Sequence, residues 1–93
     1  AAPDVRGQPK EGERQKVIKL DLSGKGLKSL DGTGDLRHLR ILDLSGNLLT
    51  DLTPLHLCAN LEYLDLSGNP KLKKEEVDKL REKLPNCLIL FVD

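Results

Sequence analysis

LDLSGN stands at residues 42–47 and again at 64–69, and a near copy, LDLSGK, stands at 20–25. The copies are 22 residues apart each time. Alternating Leu-x-Leu is the pattern of a short strand with one buried face. Ser-Gly then ends the strand, because glycine permits the turn. Asn47 or Asn69 follows, with an amide that both donates and accepts hydrogen bonds. Turned inward, it can satisfy backbone groups that the bend strips of partners. The hexamer is therefore one complete strand-and-turn instruction, written three times.

Aligned on it, the chain reads as units 17–38, 39–60 and 61–93. Their apolar positions follow L-x-x-L-x-L-x-x-N-x-L. In the first unit these are Val17, Leu20, Leu22 and Leu27, and in the second Leu39, Leu42, Leu44 and Leu49. The third has Leu61, Leu64 and Leu66, with Leu72 one place late. One such strand cannot bury its leucines alone. Stacking similar coils makes a parallel sheet with a continuous leucine core behind it, and a fixed period of this length signals a solenoid. Twenty-one leucines beside one Phe, one Tyr, no Trp and no Met fit such a repeated packing environment.

On these residues the chain resembles the leucine-rich repeat family, in its short intracellular class with 22-residue repeats. That class includes a phosphatase regulatory subunit and a spliceosomal small-ribonucleoprotein component. The resemblance covers roughly residues 17–93. It implies an α/β fold: a short right-handed leucine-rich repeat solenoid with a parallel sheet on the concave side, a C-terminal capping helix and a last strand. The motif is specific for fold and says little about partner.

Departures from the pattern carry expectations. Lys25 replaces the turn asparagine in the first unit, so that turn should be looser or more exposed. The same unit contains Asp31-Gly32-Thr33-Gly34, and the N-terminal coil should be the least regular. After Asn69, Pro70-Lys71-Leu72 reads as an inserted turn. Residues 73–84 then place Val77, Leu80 and Leu84 at helical spacing. Glu75 and Glu76 come early and Arg81 and Lys83 late, as the helix dipole prefers, and Pro85 stops the helix. The helix is expected to cap the solenoid; a partner-binding or membrane-surface segment is the alternative, and its evenly mixed charges suit a membrane poorly. Residues 84–93 return as a last strand, with Leu84, Cys87 and Ile89 in the leucine frame and Cys87 in a buried slot. Residues 1–16 are polar with two prolines and two glycines, and read as a flexible lead. The chain has no methionine at all, which suggests a piece of a longer protein.

Fifteen basic and fifteen acidic residues cancel, so the bulk charge predicts neither a nucleic-acid nor a membrane partner. No apolar run approaches the ~18 residues of a membrane span, and the start carries no signal-peptide run. Two cysteines do not make a disulfide framework, and no Asn-x-Ser/Thr sequon is present. An intracellular location, nuclear or cytoplasmic, fits. His56 and Cys58 are two apart, but a zinc site needs about four ligands, and only His38 and Cys87 could add to them. Cys58 reads as a small core residue and His38 as a solvated loop residue. The glycine-rich stretches lack the Lys-Ser/Thr ending of a phosphate loop. No cofactor, metal or catalytic residue is expected.

The candidate site is the outer face of the sheet. The middle position of Leu-x-Leu holds Asp21, Asp43 and Asp65, and by the frame above Leu88 in the last strand. One flanking column reads Lys19, Ile41, Tyr63 and Asn86; the other reads Ser23, Ser45, Ser67 and Leu90. Neighbouring carboxylates ~4.8 Å apart repel by roughly 1 kcal/mol in water and ~3 at an effective dielectric of 20. A basic group from a partner would relieve that. Tyr63 and the apolar end suit a hot spot. The alternative is that the Asp column is simply what such repeats contain. The expected function is a non-catalytic, monomeric protein-interaction module or adaptor that binds another protein or a basic peptide. The alternatives are a structural capping segment of a larger enzyme or assembly, or a ribonucleoprotein assembly factor.

Overall fold

The computed structural model describes residues 18–92. Val17 and the polar lead expected over 1–16 lie outside them. Four three-residue strands follow one another: β1 (Lys19–Asp21), β2 (Ile41–Asp43), β3 (Tyr63–Asp65) and β4 (Leu88–Leu90). They pair in parallel in chain order. Lys19 faces Ile41, which faces Tyr63, so the 22-residue period becomes the register of the sheet. The rung repeats from coil to coil. Leu22 N–H donates to Asp43 O at 2.8 Å, Leu44 N–H to Asp65 O at 2.9 Å and Leu66 N–H to Leu90 O at 2.8 Å.

Behind the sheet, Leu42, Leu44, Leu49, Leu64 and Leu66 are fully buried. The return paths differ. The first coil turns through Gly32 and Gly34 with no helix among the described residues, and its Leu20, Leu22 and Leu27 are only partly buried, as expected of the least regular coil. The second makes one 3₁₀ turn (Thr53–Leu55), with Pro54 supplying the fixed φ of a helical start. The third builds helix α1 (Lys74–Lys83), which buries Val77 and Leu80. Its acidic first turn and basic last turn match the predicted 73–84 helix to within one residue at each end.

Asparagine ties the coils together. Asn47 Nδ2 donates at 2.9 Å to Leu44 O of its own coil and at 2.9 Å to Leu22 O of the coil before. Its Oδ1 accepts from Lys25 N–H and Leu27 N–H at 3.0 Å each. Asn69 repeats this, donating to Leu44 O and Leu66 O at 2.9 Å and accepting from Leu49 N–H at 3.2 Å. Each asparagine thus serves the turn of the preceding coil. The first coil keeps its turn with Lys25 because the amide that closes that turn comes from Asn47. The Lys25 turn is exposed, as expected, but it is tied down rather than loose.

The last strand corrects the frame read from the sequence. Leu88 pairs with Tyr63, Ile89 with Leu64 and Leu90 with Asp65. The offset is therefore 25 residues, not the 23 of that frame, and Leu88 leaves the Asp column for the Tyr63 column, displacing Asn86 from it. Leu84 is the reason. It closes α1 as its C-cap, with its N–H on Leu80 O, and does not open the strand. Cys87 N–H then turns back onto Leu84 O at 3.1 Å. The buried leucine slot falls to Ile89, and Cys87 is only half-buried.

Candidate functional site

Two columns of side chains run across the outer face. One is Lys19, Ile41, Tyr63 and Leu88; the other is Asp21, Asp43, Asp65 and Leu90. Both grade from charged at β1 to apolar at β4. Leu88 is 59% exposed, Leu90 39% and Val92 77%. All eight residues expected to bind a partner therefore share one face, with Leu90 in the Asp column expected for Leu88 and Leu88 in the Tyr63 column expected for Asn86.

The carboxylates are held by the turns that follow them. Asp21 Oδ1 accepts from Ser23 N–H at 2.9 Å and Ser23 Oγ–H at 2.6 Å. Asp43 does the same with Ser45, and Asp65 with Ser67. The Asp51–Thr53 pair copies the arrangement at the start of the 3₁₀ turn. Side chains of Asp commonly close such local turns. Ser23's hydroxyl and N–H hold the Asp21 carboxyl below the usual carboxylate range. Among the described residues, no hydrogen bond engages the second oxygen of Asp21, Asp43 or Asp65. Each carboxylate thus has one oxygen fixed by its own turn and one without a hydrogen bond among the described residues. The turn role was missed in the sequence, although the D-x-S and D-x-T spacing signals it.

Cys58 is buried, its Sγ lies 3.9 Å from Pro54 O, and burial pushes its thiol pKa up. Among the described residues no hydrogen bond links it to His56, whose buried Nε2 has no hydrogen-bond partner among them. His38 is exposed. Among the described residues no His, Cys, Asp or Glu cluster could hold a metal ion, and no helix is long and apolar enough to cross a membrane.

The geometry is a repeat geometry, and the comparison with protein families agrees. A family model for leucine-rich repeats in two copies matches residues 15–56 and again 37–86. The chain belongs to the leucine-rich repeat family. No curated protein matches it significantly. Leucine-rich repeat domains generally mediate protein–protein interaction and are typically non-catalytic. The repeat explains the buried leucines, the asparagine ties and the recurring Asp–Ser turn. It leaves unexplained the residues that differ between repeats on the outer face: Lys19, Ile41, Tyr63, Leu88 and Leu90.

Proposed function

We propose that this chain is an interaction module that grips another protein on the concave, outer face of its sheet. The partner presents a basic residue over the Asp column and an apolar anchor over Tyr63, Leu88 and Leu90. One observation supports this reading most: the graded face, with a column of carboxylates at one end and large exposed apolar side chains at the other. Exposed aliphatic clusters beside an aromatic are the usual material of binding hot spots. Two free cysteines suit a reducing intracellular setting.

The test is affinity capture from cell extract with wild type, Asp43→Asn/Asp65→Asn and Leu88→Asp. Lysine at the Asp positions would also remove the Ser45 and Ser67 turn bonds. Asparagine keeps an Oδ1 acceptor and removes only the charge. A protein held by wild type and lost from both variants is the expected result. Retention by both variants would remove the site from this face.

A second reading has its own observation. The apolar β4 edge also suits a structural segment packed inside a larger assembly. It predicts that the isolated chain self-associates or binds a hydrophobic dye. A monomer without dye binding would exclude it.

A further inference from the structure

The two columns of the outer face repeat once per strand, in register from β1 to β4. Neighbouring strands stand about 4.8 Å apart, so each column places its side chains at roughly 0, 4.8, 9.6 and 14.4 Å. The columns lie two residues apart along each strand, or about 7 Å. Their outer neighbours are satisfied internally. On one side, Ser23, Ser45 and Ser67 donate their hydroxyls to the Asp carboxylates at 2.6 Å. On the other, Arg40 and Glu62 neutralise each other across the strands at 2.7 Å. A strip two columns wide is left for a partner.

A helix matches this strip and an extended segment does not. Helix positions i, i+3, i+7 and i+10 rise to about 0, 4.5, 10.5 and 15 Å, each within about 1 Å of a strand. Positions i+1, i+4, i+8 and i+11 make a second row about 100° round the cylinder, which at side-chain radius is about 7–8 Å away. That is the separation of the columns. In an extended segment, side chains on one face recur every ~6.7 Å, so they are out of step by about 2 Å at the second strand and about 4 Å at the third.

We propose, resting on the outer-face reading above, that the occupant is an amphipathic helix of a partner protein laid across the strands. Read from its β1 end, its first row carries Lys or Arg at i, i+3 and i+7, over Asp21, Asp43 and Asp65. An aliphatic residue at i+10 meets Leu90. Its second row carries an acidic residue at i+1 over Lys19, then aliphatic residues at i+4, i+8 and i+11 over Ile41, Tyr63 and Leu88. The order within each pair follows from handedness. Right-handed crossovers join parallel strands, and over such a sheet the later row of a right-handed helix falls on the Tyr63 side.

The probe is the acetylated, amidated peptide Lys-Glu-Ala-Lys-Leu-Ala-Ala-Lys-Leu-Ala-Leu-Leu, titrated by NMR into the isotope-labelled 93-residue chain. Saturable amide shifts at Ile41, Asp43, Tyr63 and Asp65 are expected, with a gain of helix in the peptide by circular dichroism. Exchanging the two members of each pair gives Glu-Lys-Ala-Leu-Lys-Ala-Ala-Leu-Lys-Ala-Leu-Leu, with the same composition and the rows swapped. It should bind about tenfold more weakly, as three exposed ion pairs dictate. Proline in place of the sixth residue should weaken binding by more than about tenfold, because it breaks the helix. Equal binding by the swapped or the proline peptide would overturn the helix while leaving the outer face as the site. Shifts confined to other surfaces, or none at millimolar peptide, would also overturn it, and the capture experiment above then decides the outer face on its own.

Discussion

The coils between Leu22 and Asn69 and the segment after Asn69 solve one problem in two ways. Each needs a return path and something to satisfy the turn of the coil before it. The early coils use almost no secondary structure on the return and rely on a buried asparagine amide. The last segment uses a ten-residue helix, so its core contribution comes from Val77 and Leu80, and its strand lands three residues off the period. The difference teaches that the return path sets the period: the short returns through the glycines and the 3₁₀ turn keep it at 22 residues, and the helix lengthens it to 25.

Removing an asparagine tie should have the largest effect. Asn47→Ala strands Leu22 O, Lys25 N–H and Leu27 N–H in or near the core. At ~1–3 kcal/mol for each buried group left without a partner, the loss should be about 3–5 kcal/mol. Chemical denaturation reads it directly. A loss below about 1 kcal/mol would show that water replaces the amide and that the tie is dispensable.

Leu80→Ala tests the other solution. Leu80 is fully buried on α1, and truncation there should cost about 2–4 kcal/mol. A helix that closes the core should unfold with it in one transition. A separate, earlier transition for the helix would mean that the two regions are not one cooperative unit.

The glycines of the turn give a smaller and sharper comparison. Gly46 and Gly68 both have φ near +70°, where an L side chain costs roughly 1–2 kcal/mol. A Cβ on Gly46 would meet Gly24 N at 3.5 Å, an ordinary contact; one on Gly68 would meet Gly46 N at 3.2 Å, which is tight. Gly68→Ala should therefore destabilise by about 2 kcal/mol and Gly46→Ala by about 1, ranked by thermal denaturation. Equal losses would show that the coils separate easily at this point.

Most of this comparison was legible in the sequence before the last segment. The hexamer stated its own strand, turn and period, and α1 announced itself through the spacing of Val77, Leu80 and Leu84. The β4 register was not legible, because Leu84 fits both a leucine frame and a helix C-cap, and only the packed helix end decides between them. The same slip moved Leu88 from the Asp column to the Tyr63 column and Leu90 from the Ser column to the Asp column. The eight candidate residues still share one face, since that depends on Leu-x-Leu alternation, which survives a shift of two. What sequence reasoning missed in the Asp column was its local partner: the serine two residues on was placed in a separate column.

The acidic turns should also give the gentlest effect. Asp21 and Asp51 are held below the ordinary carboxylate pKa, chiefly by the Ser23 and Thr53 hydroxyls and then by their N–H groups. A folded pKa below the unfolded one contributes stability that is complete above the unfolded value, about 4, and is lost as pH falls through the folded value. Stability should therefore be level with respect to these groups from pH 7 down to about 5, and decline below about 4. Asp51→Asn keeps the turn acceptor without the titration. It should lower the midpoint slightly at pH 7 and flatten the decline in acid, measured as denaturation midpoint against pH. An acid decline as steep in that variant as in wild type would move the acid sensitivity away from the 3₁₀ turn and onto other depressed carboxylates such as Asp35 and Asp78, whose partners are the flanking Arg37, and Lys74 with Arg81.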